Sequence, residues 1–454
     1  MAKIKINYTC QNCGYVSTKW LGRCPECESW NSLVEEAVTP SSPSLSYSKA
    51  LVSKPQTMSE IELTDTLRFG TGIREFDRVL GGGIVAGSLV LLGGDPGIGK
   101  STLLLDVCMK FSQNGQSVLY VSGEESAVQT KMRAQRIGET TDKLLLMTET
   151  DLNGILTQAE NIMPELLVID SIQTMHNAEL PTAAGSVGQI RECTAKLLRF
   201  AKSKGVAVVI IGHVTKDGSI AGPRLLEHMV DVVLQFEGER SYAFRVLRAL
   251  KNRFGSTSET GIFSMEEDGL NEINNPAGLF LEEREEAVSG SLVCACIEGT
   301  RPIMVEIQAL VAPTPYGMPR RTAVGFDYNR VNMLLAILEK RLGFDLGVQD
   351  AYINVVGGMK VTEPAADLAV ACALASSFCN KPIDSTTLVI GEVGLTGEVR
   401  RVSHLARRIK EAANLGFKRL VVPYSKEVSP LKAEYKGLVE VRTLQEALKV
   451  LKIN

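Results

Sequence analysis

The sequence lacks any apolar run close to the ~18 residues that a membrane-spanning helix needs. Its first ten residues, MAKIKINYTC, also lack the apolar core of a secretory signal. We therefore expect a cytoplasmic protein with no membrane partner. A large excess of positive or negative charge is missing as well, since the 454 residues carry a net charge of only −3. Any nucleic-acid binding would therefore need a local basic patch.

Cysteine is concentrated near the N-terminus, where four of the ten form Cys10-x2-Cys13 and Cys24-x2-Cys27. In a reducing compartment thiols bind metals or are buried rather than forming disulfides. Two such turns present four sulfurs to one ion, as structural zinc requires. We predict a zinc finger over residues 1–36, against the alternative of two unrelated thiol pairs. The predicted Zn²⁺ ligands are Cys10, Cys13, Cys24 and Cys27.

The finger carries balanced charge, because its Lys and Arg residues are matched by Glu residues. Its charge therefore gives little electrostatic attraction to DNA, and docking to a protein is an equally supported role.

Residues 37–60 are rich in Ser and Pro and are predicted to be a linker. Apolar strand candidates then alternate with helical stretches over residues 61–275, which indicates a parallel α/β domain. The composition shifts after the acidic segment 281–286, and we place a C-terminal domain at residues 285–454.

Residues 87–105, GSLVLLGGDPGIGKSTLLL, combine an apolar strand, a glycine-rich turn and a helix start. They contain the full phosphate-loop pattern, Gly94-x4-Gly99-Lys100-Ser101, in the required context. Glycine N–H groups and the helix N-terminus would surround a phosphate, and Lys100 would reach the terminal phosphates. The Ser101 hydroxyl would hold Mg²⁺. The predicted nucleotide-binding residues are Gly94, Asp95, Pro96, Gly97, Ile98, Gly99, Lys100, Ser101 and Thr102.

Acidic residues end two further apolar strands. The strand candidate Leu166–Asp170 closes on a carboxylate suited to orienting water on Mg²⁺, although an Asp there can also cap a turn. After the strand candidate Val118–Ser122 come Glu124 and Glu125, and a carboxylate at this place can accept a proton from the attacking water. We favour Glu124 as that base. His213 ends another strand, where a phosphate sensor and a structural role are both open.

Two loops are long and rich in small residues, Met175–Gly188 and Thr215–Arg224, and we expect them to be mobile and functional. Lys216 and Arg224 are candidates for contacting a phosphate backbone, and the alternative is that both side chains are merely solvated.

The segment KNRFG follows a later strand and places Lys251 and Arg253 on one side, because side-chain direction alternates along a strand. Such a pair could reach a neighbouring subunit's γ-phosphate, and a solvated strand end is the alternative.

Residues 67–270 resemble the RecA-type ATPases. The segments GGGIVAGSLVLLGGDPGIGKST, YVSGEES and LLVIDSIQT are most similar to the KaiC and RadA (Sms) branch, and KNRFG with the finger is similar to the RadA family. The resemblance implies that ATP is the nucleotide and that Lys100, Ser101, Glu124 and Asp170 form its site. It also implies that Lys251 and Arg253 act on the adjacent subunit's ATP.

The same resemblance implies a DNA-stimulated ATPase that forms a ring, expected to be a homo-hexamer, and is related to the DnaB helicases. Such a protein would promote branch migration during recombinational repair. The implied partners are single-stranded and branched DNA, and a RecA-type recombinase or another repair protein that could dock on the finger. A KaiC-like regulatory ATPase or kinase that acts on proteins is the alternative, and an ATP-dependent protease is a weaker one.

The C-terminal segments VTEPAADLAVACALASSF and LVIGEVGLTGEVRRVSHLARRIKEAANLGF resemble the proteolytic domain of the Lon family. That family uses a Ser-Lys dyad, and this chain has Ala365 and Arg408 at the two positions. Alanine carries no nucleophile, and a guanidinium with a pKa above about 12 cannot act as a base. We therefore expect no protease activity. The predicted fold class is α/β, with a RecA-like P-loop core, a small zinc module and an α+β Lon-like domain.

Cations of the C-terminal domain are predicted to form a basic face for DNA, with solvated helix and turn ends as the alternative. They are Arg320, Arg321, Arg400, Arg401, Arg407, Arg408 and Lys410. The remaining cysteines of this domain are predicted to be small core residues. They are Cys294, Cys296, Cys372 and Cys379.

Overall fold

The computed structural model of this chain describes most of its residues, in two compact units that span residues 1–272 and 273–454. The described residues are 5–10, 15–26, 28, 30–38, 68–180, 182–212, 225–238, 244–266, 269–273, 287–315 and 317–453. None of the helices in these ranges is both long and apolar enough to cross a bilayer.

The N-terminal segment forms a small antiparallel sheet in the order β2-β1-β3. Its strands are β1 (Lys5–Cys10), β2 (Val16–Ser17) and β3 (Leu33–Val38). Cys10 at the end of β1 and Cys24 are both buried and pack with Leu33 in one cluster. This cluster is too small to stabilise a fold by burial alone, so a bound metal would supply most of the folding free energy.

The nucleotide-binding region alternates strands and helices. Its first half contains β4 (Arg68–Phe69), α1 (Arg74–Leu80), β5 (Ile84–Val85), β6 (Leu89–Gly94), α2 (Lys100–Gln113), β7 (Val118–Ser122), α3 (Ala127–Ile137), β8 (Leu144–Thr148), α4 (Leu152–Ile162) and β9 (Leu166–Asp170). It continues with α5 (Val187–Lys204), β10 (Ala207–Ile211), α6 (Leu225–Met229), β11 (Val232–Glu237), β12 (Phe244–Asn252), β13 (Thr260–Glu266) and β14 (Gly269–Glu272).

These strands form one sheet in the order β14-β13-β12-β11-β6-β10-β9-β7-β8, apart from the short β4 and β5, which pair with each other. The strands from β11 through β6 to β8 are parallel, and β12 to β14 extend the sheet antiparallel. The central strands are apolar throughout because both faces are covered: Leu89 and Leu91 enter one core, and Val90 and Leu92 the other. The carboxyl ends of β6, β7 and β9 therefore meet at one edge.

The predicted strands agree closely with this sheet. Val118–Ser122 and Leu166–Asp170 have the predicted bounds. Propensity and an uninterrupted apolar pattern suffice for such buried strands. The boundaries of the three predicted domains and of the linker stay predictions.

The C-terminal unit contains a mixed sheet in the order β18-β19-β17-β16-β21-β24-β25, with helices packed on it. Its elements are β15 (Val288–Ser289), β16 (Ser291–Glu298), β17 (Arg301–Pro313), β18 (Arg321–Val324), α7 (Tyr328–Leu342), β19 (Gln349–Val355), α8 (Asp367–Phe378), β20 (Pro382–Ile383), β21 (Thr387–Val389), β22 (Glu392–Val393), β23 (Val399–Arg400), α9 (Leu405–Asn414), β24 (Arg419–Pro423), β25 (Leu438–Val441) and α10 (Leu444–Val450). Of the four cysteines predicted to be core residues, Cys294, Cys296 and Cys372 are buried and Cys379 is partly exposed.

Candidate functional site

The phosphate loop joins β6 to α2 at the carboxyl edge of the sheet. Gly97 and Gly99 have φ angles of +78° and +111°, in the left-handed region that favours glycine. At Gly94 a Cβ atom would lie 2.5 Å from the carbonyl oxygen of Phe236 on the neighbouring strand. The glycines therefore allow a backbone course that turns the loop around the N-terminus of α2, where N–H groups are free of intrahelical partners.

Lys100 is buried at the first position of α2 and bends back over the loop. Its Nζ donates to the carbonyl oxygens of Gly94 and Asp95 at 2.8 and 2.9 Å. Burial lowers the pKa of Lys100, while the nearby charges of Asp170, Asp95 and Glu124 act to raise it. The structure thus brings Lys100, Glu124 and Asp170 together, and a lysine surrounded by carboxylates fits a site for a phosphate and a divalent cation.

Asp170 ends β9 and is buried beside β7. The buried Tyr120 hydroxyl donates to Asp170 Oδ2 at 2.6 Å, and parallel pairing sets Ser122 opposite Asp170. Burial, together with the Asp170 charge and this hydrogen bond, raises the pKa of Tyr120 well above its ordinary value. The phenol therefore stays protonated and holds one carboxylate oxygen, which would leave the other oxygen for the predicted Mg²⁺-bound water.

Replacing Tyr120 by Phe removes this donor without changing the packing of the ring. If Asp170 serves Mg²⁺ as the sequence predicts, Tyr120→Phe raises the Mg²⁺ concentration needed for half-maximal ATP hydrolysis about tenfold, the usual effect of losing a group that orients a metal ligand. Mg²⁺ titration of the ATPase rate measures the effect. Tyr352→Phe is the matched control, since Tyr352 donates to the Asp350 carboxylate in the other unit, at 3.4 Å. An unchanged Mg²⁺ dependence would show that the phenol does not orient this carboxylate.

Glu124 and Glu125 follow β7 but have different surroundings. Ser171, the residue after Asp170, donates its hydroxyl to Glu124 Oε1. Glu125 forms an ion pair with Arg133 of α3, and its N–H is held by the Ser122 hydroxyl at 3.1 Å. The charge of Glu124, like those of Asp170 and Asp95, acts to raise the pKa of Lys100. The arrangement favours Glu124 over Glu125 as the proton acceptor, although its role stays a prediction.

The KNRFG segment lies at the end of β12, and both of its cations face residues 227–231. Lys251 Nζ donates to the carbonyl oxygens of Glu227 and Val230, each at 2.7 Å. Arg253 Nη1 approaches Asp231 Oδ1 at 3.3 Å, yet 58% of the Arg253 side chain is exposed. Burial and the Arg253 charge lower the pKa of Lys251. Arg253 is therefore the cation better placed to reach outward.

Asp231 was not among the predicted residues, yet it joins three parts of this region. Its buried carboxylate accepts from the Leu89 N–H at 3.1 Å and from Lys202 Nζ at 2.7 Å, in addition to Arg253. A sequence signal for it was absent, because an Asp before a strand is common in turns. For Tyr120 a signal existed: a tyrosine within an apolar strand needs a partner for its hydroxyl.

The described part of the zinc module contains two of the four predicted ligands. Cys10 and Cys24, the first cysteines of the two pairs, are buried in one cluster, and the Glu28 N–H donates to the Cys24 carbonyl at 2.9 Å in a tight turn. Cys10 Sγ also donates to Ser32 Oγ at 3.2 Å. The two thiols fit a shared metal site, and Cys13 and Cys27 lie outside the described residues.

Several other predicted residues also lie outside the described ranges. They are His213, Lys216 and Arg224, together with the loop Thr215–Arg224. The other predicted loop, Met175–Gly188, is described except for residue 181, and the buried Gln189 side chain binds its backbone.

In the C-terminal unit, the two positions of the Lon dyad hold the buried Ala365 and Arg408, and Arg408 forms an ion pair with Glu363. Arg408 is 0% exposed and forms a two-pronged bond to Glu363, at 2.8 and 2.6 Å. Its Nε donates to the Ser403 carbonyl at 2.9 Å, and the buried Ala365 accepts a bond from Cys294 Sγ at 3.5 Å. Burial by itself would lower the pKa of Arg408, but bonding to Glu363 raises it above the ordinary value.

The prediction that Arg408 belongs to a basic face is therefore wrong, because its guanidinium is enclosed by α9, β16 and the turn at Pro364–Ala366. On α9, Arg408 shares one face with the buried Leu405, Ile409 and Ala412, so its side chain is directed into the domain, where it pairs with Glu363. Arg400 is exposed and bonds to Glu398 at 2.6 Å, and Arg407 is exposed and donates to the Thr300 carbonyl at 2.6 Å.

Three family models match the chain. They are a rubredoxin metal binding domain over residues 8–35, an AAA domain over residues 55–219 and subunit ChlI of Mg-chelatase over residues 312–426. These matches agree with the predicted fold class, α/β with a RecA-like P-loop ATPase core, a small N-terminal zinc module and a C-terminal α+β Lon-like domain.

Curated relatives match over nearly the full length. The DNA repair protein RadA of Bacillus subtilis (strain 168) is 53% identical over 453 residues, which is 99% of each chain. The DNA repair protein RadA of Listeria monocytogenes serovar 1/2a is 52% identical over 453 residues, again 99% of each chain. Among solved structures, a KaiC-like protein of Pyrococcus horikoshii OT3 aligns with 46% of this chain and 99% of its own, at 23% identity and a TM-score of 0.39.

Proposed function

Because the chain belongs to the family of DNA repair protein RadA and contains an ATPase domain, we propose that it is a DNA-dependent ATPase that moves on DNA as a ring and promotes branch migration in recombinational repair. The observation that carries the proposal is the meeting of Lys100, Glu124 and Asp170 at one edge of the sheet.

In this proposal the loop 94–102 holds the ATP phosphates, and the Lys100 ammonium neutralises the terminal charge. The Ser101 hydroxyl and the Asp170 carboxylate hold Mg²⁺, which when bound would neutralise further phosphate charge. Glu124 accepts a proton from water as the water oxygen bonds to the γ-phosphorus. The bond between that phosphorus and the ADP oxygen then breaks, which gives ADP and phosphate.

Assembly into a ring would complete the site from the next subunit. Arg253 has the exposure that a residue acting in trans needs, and the buried Asp231 and the Leu80 carbonyl hold the segment around it, the latter through Asn252 Nδ2 at 3.2 Å. Loop 175–188 and the exposed cations Arg320, Arg400 and Arg401 are the proposed DNA contacts. The finger, with Zn²⁺ on Cys10, Cys13, Cys24 and Cys27, would dock a recombinase or another repair protein.

Replacing Arg253 by Ala tests the role in trans. We expect the ATPase rate to fall at least about 10³-fold, as it does when an arginine finger is lost, while nucleotide binding is retained. Mixing the variant with Lys100→Ala protein, which has an intact Arg253, should restore part of the rate in mixed rings. Arg248→Ala is the matched control, because Arg248 lies on the same strand and pairs with Glu237 at 3.1 Å. Normal hydrolysis by Arg253→Ala would refute the role.

The function itself is tested by the ATPase rate with and without single-stranded DNA, together with unwinding of forked DNA. Stimulation by DNA and unwinding support the motor. If DNA neither binds nor alters turnover, the motor proposal fails. DNA-independent hydrolysis with self-phosphorylation would favour the KaiC-like regulatory alternative. A protease is disfavoured because Ala365 and the Arg408–Glu363 pair occupy its dyad.

A further inference from the structure

Ser171 connects the two acidic groups of the ATP site. It follows Asp170 directly, is fully buried, and donates its hydroxyl to Glu124 Oε1. The Glu124 segment is bound a second time, since the Gly123 N–H donates to the Asp170 carbonyl at 2.7 Å. A carboxylate whose one oxygen is held in this way presents its other oxygen in a restricted direction, which is what a proton acceptor for a positioned water requires.

The same serine begins a tight turn over residues 171–175. The Thr174 hydroxyl donates to the Ser171 carbonyl at 2.8 Å, and the Met175 N–H donates to the Ile172 carbonyl at 3.3 Å. This turn packs directly on the glutamate segment: a Cβ atom at Gly123 would lie 2.2 Å from Thr174 Oγ1 and 2.6 Å from Met175 Cε. Because contact is this close, the turn cannot shift without moving the segment that carries Glu124.

Beyond the turn, the chain continues into the loop of residues 176–186. Gln189, 1% exposed in the first turn of α5, accepts from the Asn177 N–H at 2.8 Å and donates to the Thr182 carbonyl at 2.9 Å. The His176 N–H donates to the Thr150 carbonyl at 2.9 Å. Residues 183–185 are exposed at the tip of the loop. The base of the loop is therefore held by Gln189 and is continuous with the 171–175 turn, so a ligand that moves the tip would act on that turn.

We propose that Ser171 is a positioning residue for Glu124, and that the 171–175 turn makes the orientation of Glu124 depend on the 176–186 loop. The inference rests on the proposed ATPase, and it assigns to this turn the means by which DNA at the loop tip raises the hydrolysis rate. Without the hydroxyl, Glu124 keeps its charge but loses its fixed orientation, and the turn loses its bond to the catalytic segment.

The test is Ser171→Ala in the full-length chain, which removes one oxygen atom and adds no volume. We expect kcat to fall about 10- to 100-fold while the KM for ATP changes little, since misplacement of a catalytic group by about 1 Å has an effect of this size. Stimulation by single-stranded DNA should fall toward unity. Ser112→Ala is the matched control: Ser112 is buried in α2 and its hydroxyl donates to the Met109 carbonyl at 2.8 Å.

A double-mutant cycle separates positioning from general damage to the site. If Ser171 acts through Glu124, adding Ser171→Ala to Glu124→Gln lowers the residual rate less than about twofold, because residues that act as a unit are not additive. A merely structural serine would lower the rate by the same factor in both backgrounds.

The outcomes are distinguishable from those of the proposed function. An inactive wild-type chain would refute the ATPase itself. An active wild type with an unaffected Ser171→Ala variant, or with multiplicative losses in the cycle, would overturn the inference alone. A faster Ser171→Ala variant would also overturn it, since the hydroxyl would then restrain Glu124. A slower variant with undiminished DNA stimulation would refute the link to the loop.

Discussion

Replacing Lys100 by Ala abolishes ATP hydrolysis at saturating ATP, with an expected loss of about 10³-fold or more. The physical reason is the place of its ammonium, which is buried over the loop and surrounded by Asp95, Glu124 and Asp170. Removal of the cation leaves three carboxylates facing the negative charge of a triphosphate. Phosphate release in steady state measures the loss, and fluorescent-nucleotide binding shows whether the site still forms.

Lys110→Ala is the matched control for this variant. Lys110 lies on the same helix, about 15 Å along it from Lys100, and its partly exposed side chain pairs with the buried Asp106 at 3.2 Å. Its loss affects the stability of the fold rather than the phosphate loop, so the control should hydrolyse ATP at a nearly normal rate. A Lys100→Ala protein that retains hydrolysis within about tenfold of wild type would place the chemistry elsewhere, because no other phosphate-loop lysine replaces it.

Replacing Arg408 by Met destabilises the C-terminal unit by about 3 kcal/mol, the lower end of the usual cost of breaking a buried ion pair, because the remaining Glu363 side chain is 23% exposed. Glu363 is the partner, and the carbonyls of Ala295 and Ser403 also lose their donor. Calorimetry of the full chain, with hydrogen exchange of β16 and α9 to assign the transition, measures the effect. The predicted change is one of stability, because the Arg408 side chain is fully buried and its partners belong to the C-terminal unit.

A second substitution shows whether charge is the cause. Arg408→Met combined with Glu363→Gln removes the uncompensated charge and keeps an oxygen for the Ile297 N–H, which Glu363 Oε1 accepts at 2.6 Å. The double variant should recover at least half of the lost stability. Arg407→Met is the control, since Arg407 is exposed. A loss below about 1 kcal/mol for Arg408→Met would show that the pair contributes as little as a surface one.

The phosphate loop, the CxxC pairs and the carboxylate at Asp170 could be read from the sequence because each depends on chain-local geometry. Glycine is needed in the phosphate loop because φ is positive there, and two cysteines in a tight turn can bind one ion. The apolar strand Leu166–Asp170 ends at its first polar residue, Asp170. The loss of the Lon dyad was equally local, since residue identity at Ala365 and Arg408 excludes the chemistry. The prediction of an exposed cation at Arg408 was wrong: helical spacing puts this residue on the buried face of α9, and its partner Glu363 is distant in the sequence.

The sequence by itself determined the type of chemistry that this chain can perform: a loop for phosphate, two acidic groups after strands, and thiols for a metal. The tertiary structure alone decided which buried polar side chains are hydrogen-bonded to each other. Tyr120 bonds to Asp170, and Ser171 to Glu124, because β7 and β9 are neighbours in parallel register although about 50 residues separate them. Arg408 meets Glu363 because α9 and the turn at Pro364–Ala366 both pack against β16. Periodicity and residue type act within a few residues of chain, whereas the partner of a buried polar group is set by strand order and register, which no local pattern encodes.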